Sequence, residues 1–228
     1  MTAMYKWRAD GTNIPAFVVK EALDSEGCDN LIRELKDTTA TATHIETRND
    51  KNEATANDKS VRDSTITWFN DTNLSNVLLG YVMTANYEAG WRYDITDREQ
   101  LQFTVYKGEE KQHYGWHTDG QGDHFSARQS SHFHRKAGKD LNLLYTPQAN
   151  LLGTVRKISV SAILNDGYEG GELCFQTIGD DNGIEYSEIK GKKGDVIIFP
   201  SYMCHRVKPI TKGTRYSVVA WYGGPPFK

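Results

Sequence analysis

Two histidines and one aspartate, far apart in the chain, are the feature that most constrains the fold. His117 and Asp119 stand two positions apart, and His205 lies far downstream. Two imidazoles and one carboxylate are the minimal set that holds Fe(II) on one face and leaves positions open for O₂ and a chelating ligand. Side chains two apart in a strand point to the same side, so His117 and Asp119 can bind one ion together. A fold that uses this set must bring His205 beside them from elsewhere in a sheet.

The context of His205 strengthens this interpretation, because a His-x-Asp pair alone can be two exposed polar residues of a strand. Residues 194–201 read as a turn, a buried apolar strand and a breaker, and His205 follows them. A Lys-Gly turn then precedes Arg215, and the apolar strand 218–221 comes after it. We therefore predict that His205 and Arg215 open neighbouring strands of a hairpin. The fork of Arg215 suits a carboxylate, which it can bind with two parallel hydrogen bonds.

The rest of the pattern predicts two helices and many short strands. Residues 15–19 and 61–69 read as strands. A helix capped by Asp24 or Ser25 runs to residue 35, and a second covers 74–87.

Beyond Gln100, short strands alternate with glycine-containing turns, a pattern typical of a jelly roll that holds a metal between two sheets. We predict a mainly β fold with N-terminal supporting helices. The catalytic core is a double-stranded β-helix, a cupin-like jelly roll at 100–228, and residues 1–99 support it. The length of 228 residues suits a single domain, 1–228.

Five segments occur in the order expected of one enzyme family. They are Leu101–Tyr106, Tyr114–Asp119, Ile163–Asp166, Tyr168–Leu173 and Gly194–Trp221, with Arg62–Trp68 as a less specific sixth. On these residues the chain resembles the Fe(II)- and 2-oxoglutarate-dependent dioxygenases of the prolyl 4-hydroxylase-like branch. It is particularly similar to the bacterial and viral PKHD-type hydroxylases. The resemblance covers most of the chain from about Gln100 onward.

This resemblance implies a set of cofactors and roles. His117, Asp119 and His205 would hold Fe(II), and Arg215 would bind the far carboxylate of the cosubstrate 2-oxoglutarate. O₂ is the other cosubstrate, and L-ascorbate is an expected accessory reductant. The implied reaction converts 2-oxoglutarate to succinate and CO₂ while it hydroxylates a peptidyl proline in a protein or peptide partner. The same chemistry on a free amino acid, another side chain or a small metabolite is the alternative.

Other classes of protein can share the fold. A catalytically silent jelly-roll binding module is one, although the intact triad and Arg215 argue against it. A zinc hydrolase or a cupin-like isomerase could use the same three ligands, but neither needs a carboxylate clamp.

Further side chains are candidates for the pocket. The resemblance places Tyr106 where its hydroxyl can bond 2-oxoglutarate, whereas its alternative role is to line the barrel. Ser217 shares a strand face with Arg215 and can donate a second hydrogen bond to the distal carboxylate. Tyr114, Trp116 and Trp221 are either packing residues or walls of the substrate entrance.

One position departs from part of the family. Some eukaryotic prolyl hydroxylases place a tyrosine on the central strand to help bind the 2-oxoglutarate tail, and Ile163 occupies that place here. Others use lysine at the position of Arg215. The clamp therefore resembles the bacterial type.

The segment 120–154 begins directly after Asp119 and is long and polar. We interpret it as a lid that closes over the site, since long loops of this kind often cover binding sites. Its histidines, His124, His132 and His134, raise the alternative of a second metal site, which a polar loop explains more simply.

Composition narrows the class of protein. The net charge of −3 and the lack of a long basic run do not indicate nucleic-acid binding. The three cysteines, an odd and widely spaced set, predict reduced thiols in the cytoplasm. The sequence offers no signal peptide and no apolar run that could span a bilayer, so a membrane partner is not expected.

Overall fold

The computed structural model describes residues 4–9, 12–38, 41–42, 59–120, 153–178 and 184–227. The predicted lid at 120–154 lies outside these ranges except at its ends, residues 120 and 153–154. The three histidines of the lid segment lie outside them as well. Within the described part the chain is mainly β, with two supporting helices, as predicted.

The elements are numbered in chain order. The strands are β1 (Met4–Ala9), β2 (Thr12–Val19), β3 (Thr41–Ala42), β4 (Arg62–Asp63), β5 (Thr65–Phe69), β6 (Asp97–Arg98), β7 (Leu101–Lys107), β8 (His113–His117), β9 (Val155–Ile163), β10 (Glu169–Gly170), β11 (Leu173–Ile178), β12 (Ile184–Ile189), β13 (Val196–Pro200), β14 (His205–Val207), β15 (Ile210–Lys212) and β16 (Thr214–Gly224). The helices are α1 (Ser25–Leu35) and α2 (Thr72–Glu88).

Two antiparallel sheets form the body of the fold. The larger has nine strands in the order β1-β2-β13-β9-β16-β7-β5-β3, with β6 paired to β16. The smaller has five, in the order β12-β11-β14-β8-β4, and β10 pairs with β15 in a separate two-stranded ladder. The long strand β16 lies between β9 and β7 and therefore runs through the middle of the larger sheet.

Both helices begin at an aspartate that caps the first turn. The carboxylate of Asp24 accepts a hydrogen bond from the Gly27 amide at 2.7 Å, and that of Asp71 accepts one from Leu74 at 2.9 Å. Such caps satisfy amide groups that have no partner inside the helix. The predictions of α1 and α2 are confirmed, with Asp24 as the cap of α1.

The helices cover the outer face of the larger sheet. Cys28 of α1 and Leu78 and Val82 of α2 share a buried cluster with Phe103 of β7 and Val218 of β16. Burial of this apolar surface is what stabilises the helices on the sheet. Among the described residues, no helix has both the length and the apolar character needed to cross a bilayer.

A second core fills the space between the two sheets. Tyr106, Ile163 and Phe199 enter it from the larger sheet, and Phe175 and Val207 enter it from the smaller one. Along β16 the side chains alternate, so that Arg215, Ser217 and Trp221 face this space while Val218 and its alternate neighbours face the helices. The space between the sheets is where the predicted site residues meet.

Two predictions about the strands were wrong, one about which strands are neighbours and one about the extent of a strand. His205 lies on β14 of the smaller sheet and Arg215 on β16 of the larger sheet, so they are not on paired strands. The chain crosses between the sheets in the intervening segment, where β15 pairs with β10. Likewise, the predicted strand 61–69 is divided at Ser64, and its two halves belong to different sheets. A local pattern of apolar residues cannot show such a crossing.

Candidate metal centre

His117 and His205 face each other across two adjacent strands. They are register partners in the antiparallel ladder of β8 and β14, with ring centroids 4.1 Å apart. The Nδ1 of each ring donates a hydrogen bond of 2.8 Å to a backbone carbonyl, that of Gly115 for His117 and that of Met203 for His205. A carbonyl can only accept, so Nδ1 carries the proton and Nε2 keeps its lone pair for a metal.

Asp119 completes the cluster from just beyond the end of β8. Its backbone amide donates to the Ser201 carbonyl at 2.9 Å. One carboxylate oxygen lies 3.5 Å from His117 Nε2, and the other lies 3.7 Å from His205 Nε2. The three side chains can each offer a ligand atom, and these atoms lie within 4.8 Å of one another. The expectation that strand alternation orients Asp119 was wrong, because this residue is outside the strand and the contact with Ser201 holds its backbone instead.

The electrostatics of the cluster suit a cation. Burial lowers the pKa of His205 to about 4, against the opposing effect of the Asp119 charge, so this imidazole is neutral near pH 7. Burial alone would raise the pKa of Asp119, but its interactions with His205 and His117 hold that pKa well below the ordinary range. Neutral imidazole and ionised carboxylate are the states that bind a divalent metal.

Arg215 is a buried cation at the far end of the same space. Its side chain is 2% exposed, and its Nη1 donates to Ser217 Oγ at 2.9 Å. Its Nε has no hydrogen-bond partner, and no described carboxylate lies within ion-pairing distance. A buried charge destabilises a protein unless an opposite charge compensates it. An anion bound beside Arg215 would supply that charge.

A cavity of about 250 Å³ opens between the sheets beside the cluster. His117, Asp119 and His205 line one side of it, and Tyr106 and Trp221 line the side formed by the larger sheet. Arg215 is not part of this lining. It pairs in register with Tyr106, and its guanidinium carbon lies 5.7 Å from the centre of that ring.

Tyr114 also lines the cavity, and a bulge puts it there. Strand alternation would place Tyr114 and His117 on opposite faces of β8, but the register with β14 shifts between the two residues. Their rings stack with centroids 3.5 Å apart, and the guanidinium carbon of Arg62 lies 4.4 Å from the centre of the Tyr114 ring. Burial raises the pKa of Tyr114 to about 12, so its hydroxyl stays protonated near pH 7.

Trp116 is the predicted site residue that lies elsewhere. Its ring contacts Tyr186 at a centroid distance of 5.3 Å, and Arg206 lies over it at 4.6 Å. These side chains are on the outer face of the smaller sheet, and Trp116 does not line the cavity. Of the two roles predicted for Trp116, packing is the one that these contacts support, and a role at the substrate entrance stays a prediction.

Comparison with known proteins identifies the family of the chain. The model of the 2OG-Fe(II) oxygenase superfamily matches residues 101–223, more than half of the chain. The chain belongs to the 2OG-Fe(II) oxygenase superfamily. A PKHD-type hydroxylase of Delftia acidovorans is 32% identical over 83 residues, which are 35% of this chain and 34% of that protein. The chain thus spans about a third of the length of this curated relative.

Solved structures of prolyl hydroxylases share the fold. A Pseudomonas putida prolyl-4-hydroxylase superposes with a TM-score of 0.61 at 14% identity, covering 92% of this chain and 93% of that one. A viral collagen prolyl hydroxylase from Paramecium Bursaria Chlorella virus-1, in a 2OG complex, gives 0.58 at 17% identity, covering 93% and 97%. At such identities the likeness shows the fold, and it confirms the predicted jelly roll.

The residues of this superfamily member fit the groups that the family name implies. Two imidazole Nε2 atoms and one carboxylate form the donor set suited to non-haem Fe(II) with open positions. The unpaired Nε of Arg215 and the lack of a described counter-charge suit a dicarboxylate cosubstrate.

Beside the cluster lies an ion pair, Arg156 and Glu99, that the sequence did not indicate. Arg156 binds the Glu99 carboxylate with two hydrogen bonds of 2.6 Å, from Nε to Oε1 and from Nη2 to Oε2. Its Nη1 also donates to the backbone carbonyl of Asp119 at 3.3 Å, and the guanidinium lies 4.1 Å from the Trp221 ring. The sequence shows only an arginine near the start of β9, a strand that also contains a lysine and two serines, so the residue did not stand out.

Proposed function

We propose that this protein is an Fe(II)- and 2-oxoglutarate-dependent hydroxylase. One observation carries the proposal: a cluster of two histidines and one aspartate shares an inter-sheet space with a buried guanidinium that has no described counter-charge. A metal ion and a dicarboxylate satisfy both features at once. Family membership supports the same chemistry.

In this proposal His117, Asp119 and His205 hold the metal. The backbone hydrogen bonds to Nδ1 keep each imidazole in the tautomer that presents Nε2 to the ion. When bound, Fe(II) supplies the activation of O₂ and the oxidative decarboxylation of 2-oxoglutarate to succinate and CO₂, coupled to hydroxylation of a substrate C–H bond.

Arg215 binds the distal carboxylate of 2-oxoglutarate, and Ser217 assists it. Ser217 Oγ accepts from Arg215 Nη1, which holds the guanidinium and leaves the serine proton free for a ligand oxygen. Tyr106 is the third candidate, because its side chain lines the cavity next to Arg215. Ile163 is the register partner of Ser217 and faces the same space, so its apolar side chain contributes no hydrogen bond there.

A peptidyl proline is the substrate that we propose. The prolyl hydroxylases with this fold include a collagen hydroxylase, by its name an enzyme of a protein substrate. The aromatic faces of Tyr114 and Trp221 on the cavity suit a flat apolar ring such as proline. A free amino acid, another side chain or a small metabolite is the alternative, since the cavity walls and not the metal ligands decide it.

A silent binding module with the same fold is the rival from another class. It would retain the jelly roll but show no metal-dependent turnover. A zinc hydrolase or an isomerase would use the three metal ligands but not Arg215. The buried charge of Arg215 would then destabilise the protein without contributing to the reaction.

Three further expectations belong to this proposal. L-Ascorbate supports turnover as an accessory reductant, and residues 1–228 form one domain, since β2 and β5 from the first part complete the larger sheet. The cytoplasm is the proposed compartment, supported by the three cysteines, which all lie in the described ranges as free thiols.

The test is turnover against a peptide panel. Purified protein with Fe(II), 2-oxoglutarate, ascorbate and O₂ is given proline-containing peptides and matched peptides in which alanine replaces proline. We expect succinate release together with a gain of one oxygen only on the proline peptides, read by mass spectrometry. Succinate release that no peptide stimulates would favour a small-molecule substrate, and no succinate under any condition would favour the silent module.

A further inference from the structure

Three residues form a transverse row on the inner face of the larger sheet. Val219 of β16 pairs in register with Gln102 of β7 on one side and with Ser161 of β9 on the other. All three line the cavity that also contains the metal cluster. The row therefore places two polar side chains on either side of a valine, on the wall opposite the ligands of the smaller sheet.

Gln102 is buried and has unused hydrogen-bonding capacity. Its side chain is 3% exposed, and its Nε2 donates to Thr104 Oγ1 at 3.0 Å, the one side-chain partner it has in the described structure. If the amide is turned over, the threonine hydroxyl donates to the amide oxygen instead, and both N–H groups become free. In either orientation at least one amide N–H remains for a group in the cavity.

Ser161 adds a second donor across the row. It is 8% exposed, and within the described ranges its hydroxyl makes no side-chain hydrogen bond. The neighbouring lining is apolar, with Val219, Val160 and Ile66. The Gln102 amide and the Ser161 hydroxyl are thus two donors on an apolar part of the cavity wall, and a few placed polar groups on an apolar lining suit a ligand that accepts hydrogen bonds.

The order of the rows along β16 shows which part of a ligand the pair would meet. Arg215 and Tyr106 form the row at one end, and Ser217 with Thr104 forms the next row. Trp221 marks the other end, beside Arg156, which itself contacts Asp119. The row of Gln102, Val219 and Ser161 thus lies between the Ser217 row and the row under the metal cluster.

We propose that Gln102 and Ser161 bind the metal-proximal end of 2-oxoglutarate, namely its C1 carboxylate. This inference rests on the proposed function. The Arg215 guanidinium reaches Ser217, so the C5 carboxylate is held at the Ser217 row. A five-carbon diacid that extends from there toward the cluster brings its C1 carboxylate to the next row, that of Gln102. An amide N–H and a hydroxyl are donors, which is what a carboxylate requires. The two residues then select an α-keto acid over a plain monocarboxylate and fix its orientation.

The test compares two ligands on the Mn(II)-loaded protein without O₂. 2-Oxoglutarate carries both carboxylates, whereas 4-oxopentanoate keeps the keto group and the distal carboxylate but has a methyl group in place of C1. Binding of each is measured by the paramagnetic broadening of its NMR signals. Gln102→Met keeps the side-chain length without the amide, and Ser161→Ala is a second, smaller change. Gln176→Met, on β11 where the amide contacts Cys204 and not the cavity, is the matched control.

We expect Gln102→Met to weaken 2-oxoglutarate binding about tenfold, the loss expected for one hydrogen bond to a charged group. Binding of 4-oxopentanoate should change less than about twofold. Ser161→Ala should show the same selectivity, and Gln176→Met should bind both ligands as the wild type does. Equal weakening of both ligands, or of neither, by both cavity variants would overturn the inference. If the unaltered protein with Mn(II) does not bind 2-oxoglutarate, the proposed function itself fails.

Discussion

His117 stands directly opposite His205 in the ladder of β8 and β14, with the two ring centroids 4.1 Å apart. The register of two strands therefore sets the distance between two metal ligands, and the backbone carbonyls behind each ring set the tautomer. A slip of the register by one residue would turn one of the rings to the other face of the sheet. The metal centre depends on strand pairing as much as on the ligands.

Removal of one histidine should weaken metal binding strongly. For His117→Ala we expect the metal affinity to fall by more than about 100-fold, since loss of a group that only orients a ligand already costs about 10–100-fold. The anaerobic wild type with Fe(II) and 2-oxoglutarate should show a weak visible charge-transfer band that this variant lacks. His113→Ala is the control on the same strand, because that imidazole contacts the backbone of Ser60 away from the cavity. A band that survives in His117→Ala would exclude this residue as a ligand.

Truncation of the buried guanidinium should separate cosubstrate binding from metal binding. Arg215→Ala should weaken 2-oxoglutarate binding by about 2–5 kcal/mol, the cost of removing one partner of a desolvated charged pair. Mn(II) affinity should change little, because Arg215 contacts none of the three ligands. Isothermal titration measures both quantities, with Arg206→Ala on the outer face as the control. Equal loss of metal and cosubstrate binding would contradict the clamp.

Gly171 should matter for the position of Arg215. Its φ is +70°, and a methyl group added there would clash with Ile210 and approach Arg215 Cδ to 3.0 Å. Gly171→Ala should destabilise the fold by about 2–4 kcal/mol, the sum of backbone strain and overpacking, and should weaken 2-oxoglutarate binding. Gly90→Ala is a matched control, because Gly90 has a φ of +74° with open space around the added methyl. Gly90→Ala should lower the free energy of unfolding in urea by about 1–2 kcal/mol, the cost of left-handed backbone for a residue with a Cβ, and should leave binding unchanged.

The pair of Glu99 and Arg156 should contribute to stability and to the position of Asp119. Glu99→Gln removes the charge that the guanidinium fork binds, and we expect a loss of about 1–3 kcal/mol in urea unfolding. This is below the cost for a fully buried pair, because the Arg156 side chain is 23% exposed. Asp29→Asn is the control, since the Asp29 side chain is 59% exposed in its pair with Lys193 and should contribute about 0–1 kcal/mol. Equal losses in the free energy of unfolding for the two changes would show that the pair of Glu99 and Arg156 stabilises the protein no more than an exposed pair does.

Local patterns in the sequence predicted the elements well. The apolar spacing and the capping aspartate placed α1, and the alternation along β7 put Tyr106 on the face opposite Phe103. These features depend on neighbours within a few residues, so they are encoded where they occur. At Tyr114 strand alternation does not hold, because a bulge in β8 reverses the face.

Relations between distant segments could not be read in this way. The positions of β14 and β16 in opposite sheets depend on a crossing of the chain, and no local pattern records it. Arg156, Glu99 and Gln102 became site residues only when β7 and β9 were placed on either side of β16. The lid predicted at 120–154 remains a prediction.

By itself, the sequence determined which groups are available: two histidines and one aspartate that can bind a metal ion, followed by an arginine that can bind a carboxylate. It also determined a pattern of apolar residues that favours strands. The tertiary structure alone decided that His117 faces His205, that Asp119 reaches both from outside the strand, and that Arg215 is buried with no described counter-charge. The physical reason is that residue type sets what an atom can bind, whereas distance, burial and charge balance arise only when separate strands are brought together.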